Sequence, residues 1–75
     1  MKLPDRKSIG YKIRIARVAA GMSQHELGLL TFIPQKQISL YEANKCLPTF
    51  PSLSKIAQVL DKPLVYFLED YKAEF

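Results

Sequence analysis

One cysteine, Cys46, and one histidine, His25, stand in a chain of 75 residues. A lone thiol cannot close an internal disulfide, and one cysteine with one histidine cannot fill a four-ligand zinc site. No metal or other cofactor is therefore expected. The sequence also has no Gly-rich phosphate loop, and His25 and Cys46 fall in separate elements, so no nucleophile has a placed base and an enzyme is not expected. Apolar runs are short of the ~18 residues that a membrane span requires, and the opening MKLPDRKSIGYK has no apolar segment of the kind that directs export. With neither export nor insertion indicated, a cytoplasmic location is expected. Repeats and low-complexity segments are lacking too, and residues 1–75 are expected to make a single domain whose small core buries roughly 60% of the unfolded surface.

Acidic residues are scarce, and unevenly so. Lys and Arg number 11 against 7 Asp and Glu, for a net charge of +4. Residues 1–60 hold nine basic and three acidic side chains, whereas residues 61–75 hold two and four. A basic body with an acidic end suits a polyanion on one side and something else on the other.

What the chain does have is concentrated between Ser23 and Pro48, SQHELGLLTFIPQKQISLYEANKCLP. Ser23 followed three positions later by Glu26 is a capping box, which starts a helix near Gln24. Leu27 and Leu30, three apart among polar residues, give that helix a core face, and it ends around Thr31. Pro34, with its fixed φ and missing N–H, suits the first turn of a second helix over about 34–43, whose inward contacts are Ile38 and Tyr41.

At ~100° per residue, Lys36, Ser39, Leu40 and Ala43 point away from Ile38, flanked by Gln35 and Gln37. That surface is rich in amide and hydroxyl groups and poor in the Glu–Lys pairs of a plain solvated helix. Such groups near a helix N-terminus are equipped to hydrogen-bond base edges in a major groove. The same QKQIS is also what an ordinary helix carries, since Gln and Lys are good helix formers.

Taken in order and at unbroken spacing, Ser23, Gln24, Glu26, Leu27, Gly28, Ile38, Ser39, Glu42, Asn44, Lys45 and Pro48 resemble the pattern of the lambda-repressor-like helix-turn-helix family, also called the XRE family, over residues 9–68. The resemblance implies an all-α, five-helix domain that binds double-stranded DNA. It also implies that Arg17 pairs with Glu42, that Lys45 contacts a phosphate, and that the C-terminal helix joins two copies across a two-fold axis. The chain departs from the family at Gly28, where Ala is usual, at Phe32, where the turn favours Gly, and at Pro34, where Ser or Thr is the common cap. Phe32 thus occupies a position where φ is often positive, a conformation that a bulky residue resists.

On this reading Gln35, Lys36, Ser39 and Leu40 are the base-reading candidates, Gln35 for adenine, Lys36 for guanine or phosphate, and Leu40 for a thymine methyl. Gln24, His25, Gln37 and Lys45 are the phosphate candidates. The remaining helices follow from caps and spacing. Ser8 starts the first, which stops at Gly21 with Ile9, Ile13, Ala16 and Ala20 as its buried stripe, leaving Tyr11, Ile15 and Val18 outside. Thr49 caps the fourth, which buries Leu53, Ile56, Ala57 and Leu60. Pro63 opens a fifth that runs toward Phe75, with Leu64, Phe67 and Leu68 closing the core. Val65, Tyr66, Tyr71 and Phe75 have no place in so small an interior and are the homodimer candidates. His25 alone reads most simply as an exposed helix residue, and Cys46 as an inert loop thiol. No small-molecule site is evident. Two other readings stay open: the antitoxin of a toxin–antitoxin pair, whose trace would be the apolar outer side of the first helix, and a protein-interaction module on the same fold, against which Lys36 argues.

Overall fold

The computed structural model describes residues 8–69. Its elements are five helices, α1 (Ile9–Ala19), α2 (Gln24–Thr31), α3 (Gln35–Glu42), α4 (Phe50–Val59) and α5 (Leu64–Leu68). The fold is all-α, as the sequence implied.

Side-chain oxygens begin three of these helices. Ser8 accepts from the Tyr11 N–H, Ser23 from the Glu26 N–H and Thr49 from the Ser52 N–H, satisfying amides that a first turn leaves unpaired. The Glu26 carboxylate accepts in return from the Ser23 N–H at 3.0 Å, so the capping box is complete. Pro34, expected as the first residue of α3, instead precedes it with an extended ψ of 140°. Its ring fixes φ while its carbonyl accepts from the Gln37 and Ile38 amides.

The first four helices end alike. Gly21, Phe32, Asn44 and Asp61 each take a left-handed φ, between 56° and 73°. The next residue's N–H then reaches back to a carbonyl five positions earlier, as from Met22 to Arg17 at 3.1 Å and from Lys45 to Leu40 at 3.0 Å. Asn44 does what its side chain favours. Phe32 does what its side chain disfavours.

The core is a small cluster from every helix: Ile9, Ile13 and Ala16 of α1, Leu27 of α2, Ile38 and Tyr41 of α3, Leu53, Ile56 and Ala57 of α4, and Phe67 of α5, with Ile33 and Leu60 from the turns. Burying one such side chain contributes about 1.5–3 kcal/mol. Two expected core residues lie elsewhere. Ala20 is exposed because α1 ends one residue before it, and it caps the helix. Leu30 is 56% exposed. The buried stripe of α2 is Leu27, Gly28 and Thr31, and at ~100° per residue Leu30 lies roughly 100° away from its centre. Thr31 takes the inward place by donating its hydroxyl to the Leu27 carbonyl at 2.7 Å.

The glycine that departs from the family pattern has a steric reason. A methyl group on Gly28 would sit 2.7 Å from the Ile33 carbonyl oxygen, so the bare backbone lets the turn fold tightly onto α2. Gly10 plays the same part between α1 and α3, where an added methyl would run into the Tyr41 carbonyl oxygen.

Two residues after Gly10, Lys12 is buried, which periodicity did not anticipate. Its ammonium donates to the Tyr66 carbonyl at 3.1 Å, lies 3.5 Å from a Glu69 carboxylate oxygen, and faces the Tyr66 ring. Tyr66, expected to be surplus to the interior, is half-buried against the core, edge-on to Phe67 and capped by Lys62. Val65 does stay out, at 61% exposure. Tyr71 and Phe75 lie outside the described residues.

Candidate nucleic-acid interface

The outward side of α3 carries Gln35, Lys36 and Ser39, all exposed, with Leu40 and Gln37 half-buried. The sequence placed Leu40 fully outward. Gln37, a phosphate candidate in the sequence, has one amide N–H committed: it donates to the Cys46 sulfur at 3.1 Å, tying α3 to the loop that follows. Lys45, just past the end of α3, is exposed, as is His25 on α2.

Behind this face, one ionic junction fixes how α3 is set. The Arg17 guanidinium donates through Nε to Glu42 Oε2 at 2.7 Å and through Nη2 to Oε1 at 3.0 Å. A third N–H reaches the Met22 carbonyl at 2.8 Å, and the Gln24 amide donates to Glu42 Oε1 at 3.1 Å. The Arg17–Glu42 junction thus gathers α1, the turn after it, α2 and α3. Both side chains are largely buried, at 12% and 5% exposure, where a planar fork matching a carboxylate is worth most. The hydrogen bond to Glu42 raises the Arg17 pKa above its ordinary value, burial opposing it. Gln24, a phosphate candidate in the sequence, therefore has one of its two N–H groups committed inward.

Two shallow concavities flank α3. One, of about 330 Å³, is polar and lined by Arg14, Arg17, Gln24, Ser39, Glu42 and Ala43. Arg14 went unassigned in the sequence, although its spacing of three from Arg17 sets the two on neighbouring faces of α1. The other, of about 370 Å³, is mostly apolar and runs along His25, Leu29, Phe32, Pro34 and Gln35. Among the described residues no group of acidic, histidine and cysteine side chains could hold a metal ion, and no helix is long and apolar enough to cross a membrane.

Comparison with known proteins converges on the same stretch. A helix-turn-helix family model matches residues 13–67. The chain is 37% identical over 62 residues to an uncharacterized HTH-type transcriptional regulator of Sinorhizobium medicae, covering 83% of this chain and 45% of that protein. A counterpart from Rhizobium meliloti matches with the same identity and coverage. The chain thus spans less than half the length of the curated relatives it matches. Among solved structures, a hypothetical transcription factor from Neisseria superposes with a TM-score of 0.78 at 25% identity, over 91% of this chain and 83% of that one. The capping box, the Arg17–Glu42 junction, the exposed amide face of α3 and these matches lead to one conclusion: the chain belongs to the lambda-repressor-like helix-turn-helix family.

Proposed function

We propose that the chain binds double-stranded DNA as the sequence-reading part of a cytoplasmic transcriptional regulator, with α3 in the major groove and two copies on a pseudo-palindromic operator. The observation that carries this reading is the exposed Gln35, Lys36 and Ser39 face on a helix whose setting is locked by Arg17, Gln24 and Glu42. Gln35 and Lys36 read bases, Ser39 and Leu40 assist, and Lys45, His25 and Arg14 hold phosphates. Gln24 and Gln37 keep part of their donor capacity for the same backbone. The activity needs no cofactor, small ligand or catalytic group. The exposed Val65 and the half-buried Tyr66 are the described residues of the proposed dimer contact, and the names of the relatives fit a role in transcription.

One observation favours a second reading. Ile15 and Val18 leave α1 with an apolar outer side, beside a concavity that Tyr11 and Arg14 share. An antitoxin would cover its toxin there while binding DNA through α3.

Binding titrations over several salt concentrations test the first reading, on an operator selected from random DNA and on its single-base variants. Gln35→Ala should relax preference at one base pair per half-site, a loss of ~1 to 3 kcal/mol of discrimination, with little change in non-specific affinity. Lys45→Ala should weaken every sequence alike and reduce the slope of log K against log salt by ~0.9 per lost contact. Half-site centres should lie ~34 Å apart or a multiple of that. A wild-type protein that selects no sequence and shows no salt dependence would end the DNA-binding reading.

A further inference from the structure

The turn between α2 and α3 contains a feature that neither core packing nor base reading uses. Phe32 is 89% exposed and holds a left-handed φ of 58°. A bulky side chain is disfavoured in that conformation, and an exposed one receives no packing in return. Strain kept at a surface position points to use there. Its surroundings say what kind. Phe32 lines two concavities, one with Leu30, Lys55 and Val59 and the other with Leu29, Pro34, His25 and Gln35, the last being the first residue of α3. No carboxylate lines the second concavity, and none occurs between Leu27 and Tyr41, while Lys36 supplies positive charge. An apolar surface free of negative charge, at the entering end of a groove-reading helix, matches the rim of a DNA groove. There deoxyribose rings offer apolar faces between phosphates.

We propose that Phe32 packs on deoxyribose at the edge of the major groove, with Leu29 and Pro34 beside it, as an apolar clamp on the DNA backbone. The contact rests on the DNA-binding reading above and adds to it a non-ionic, sequence-independent component. Its signature differs from those of its neighbours. Losing a base reader alters the ranking of sequences, and losing a phosphate ligand alters the salt slope. Losing Phe32 lowers affinity on all DNA and leaves both ranking and slope unchanged.

Phe32→Gly is the deciding variant, because glycine relieves the turn and the variant folds. Its Tm should rise by about 4 °C or more. Its Kd should increase about fivefold per half-site on the selected operator and on random duplex alike, with the wild-type salt slope. Phe32→Tyr, which keeps the ring, should restore wild-type affinity. Wild-type affinity in Phe32→Gly on both duplexes overturns the clamp while leaving the DNA-binding reading intact. Failure of the wild type to bind any duplex overturns both. A Phe32→Gly protein that sediments as a monomer, where the wild type is a dimer, also overturns the clamp, because the occupant of this surface is then a second copy of the chain.

Discussion

Two cations on α1, five residues apart, are buried in different ways. Arg17 meets a carboxylate fork-to-fork, with both bonds at 3.0 Å or less and a backbone carbonyl on a third N–H. Among the described residues, Lys12 points a compact ammonium at a carbonyl 3.1 Å away and an aromatic face, with a Glu69 carboxylate oxygen at 3.5 Å. The first junction sets α3, the helix proposed to read DNA. The second holds α5, the end proposed to pair with another copy. A guanidinium fixes direction because its donors lie in a rigid plane, whereas an ammonium accepts partners over a wide cone. The molecule thus fixes orientation tightly behind the helix proposed to contact bases, and more loosely at the end proposed to pair.

The strongest way to break that contrast is to remove one member of each junction. Glu42→Gln leaves the Arg17 charge largely buried and facing a neutral amide, and should destabilise the fold by about 3 kcal/mol in urea unfolding. Arg17→Met should cost a comparable amount, and the double variant less than the sum, since the two effects describe one interaction. Strict additivity would mean that the pair contributes nothing as a pair. Operator affinity should fall further than stability alone explains, because α3 loses its setting.

Lys12→Met should have a smaller effect, about 1 kcal/mol or less, because an apolar chain of similar length fills the space and Glu69, its carboxylate partner among the described residues, is exposed. A loss as large as that of Glu42→Gln would erase the distinction between the junctions. DNA affinity measured well below the unfolding midpoint should be unaffected.

The two junctions also differ in how far the sequence discloses them. Arg17 and Glu42 are implied by family resemblance, and the box of Ser23 with Glu26 and the helix end at Asn44 follow from local chemistry. Lys12 and Tyr66 are not legible, because a long cation beside apolar residues ordinarily reaches solvent, and only the placement of α5 closes over it. Leu30 misleads for a related reason: an eight-residue helix has too few turns to define a stripe, and the tight approach at Gly28 decides which side faces inward. At the proposed interface, the exposed α3 positions come from periodicity. The inward commitments of Gln24 and Gln37 depend on partners that periodicity does not supply.

The smallest expected effect lies at a third carboxylate, which sharpens the comparison because it is fully exposed. Glu26 accepts from the Ser23 backbone N–H, and that bond, with the Ser23 hydroxyl assisting, lowers its pKa below the ordinary 4.5. A depressed folded-state value stabilises the fold at pH above the unfolded value, and the contribution disappears as pH falls through the folded one. Glu26→Gln keeps an oxygen that can accept from Ser23 but carries no charge at any pH. It should therefore unfold slightly more easily than the wild type at pH 7, and the gap should close as the solution is acidified below 4.5. Urea midpoints for both proteins at half-unit steps from pH 7 to 3 give the measurement. A gap that stays constant across the series would show that the capping box acts through hydrogen bonding alone. The charge on α2 would then be incidental, and the helix start, unlike the buried junctions behind it, would be indifferent to acid.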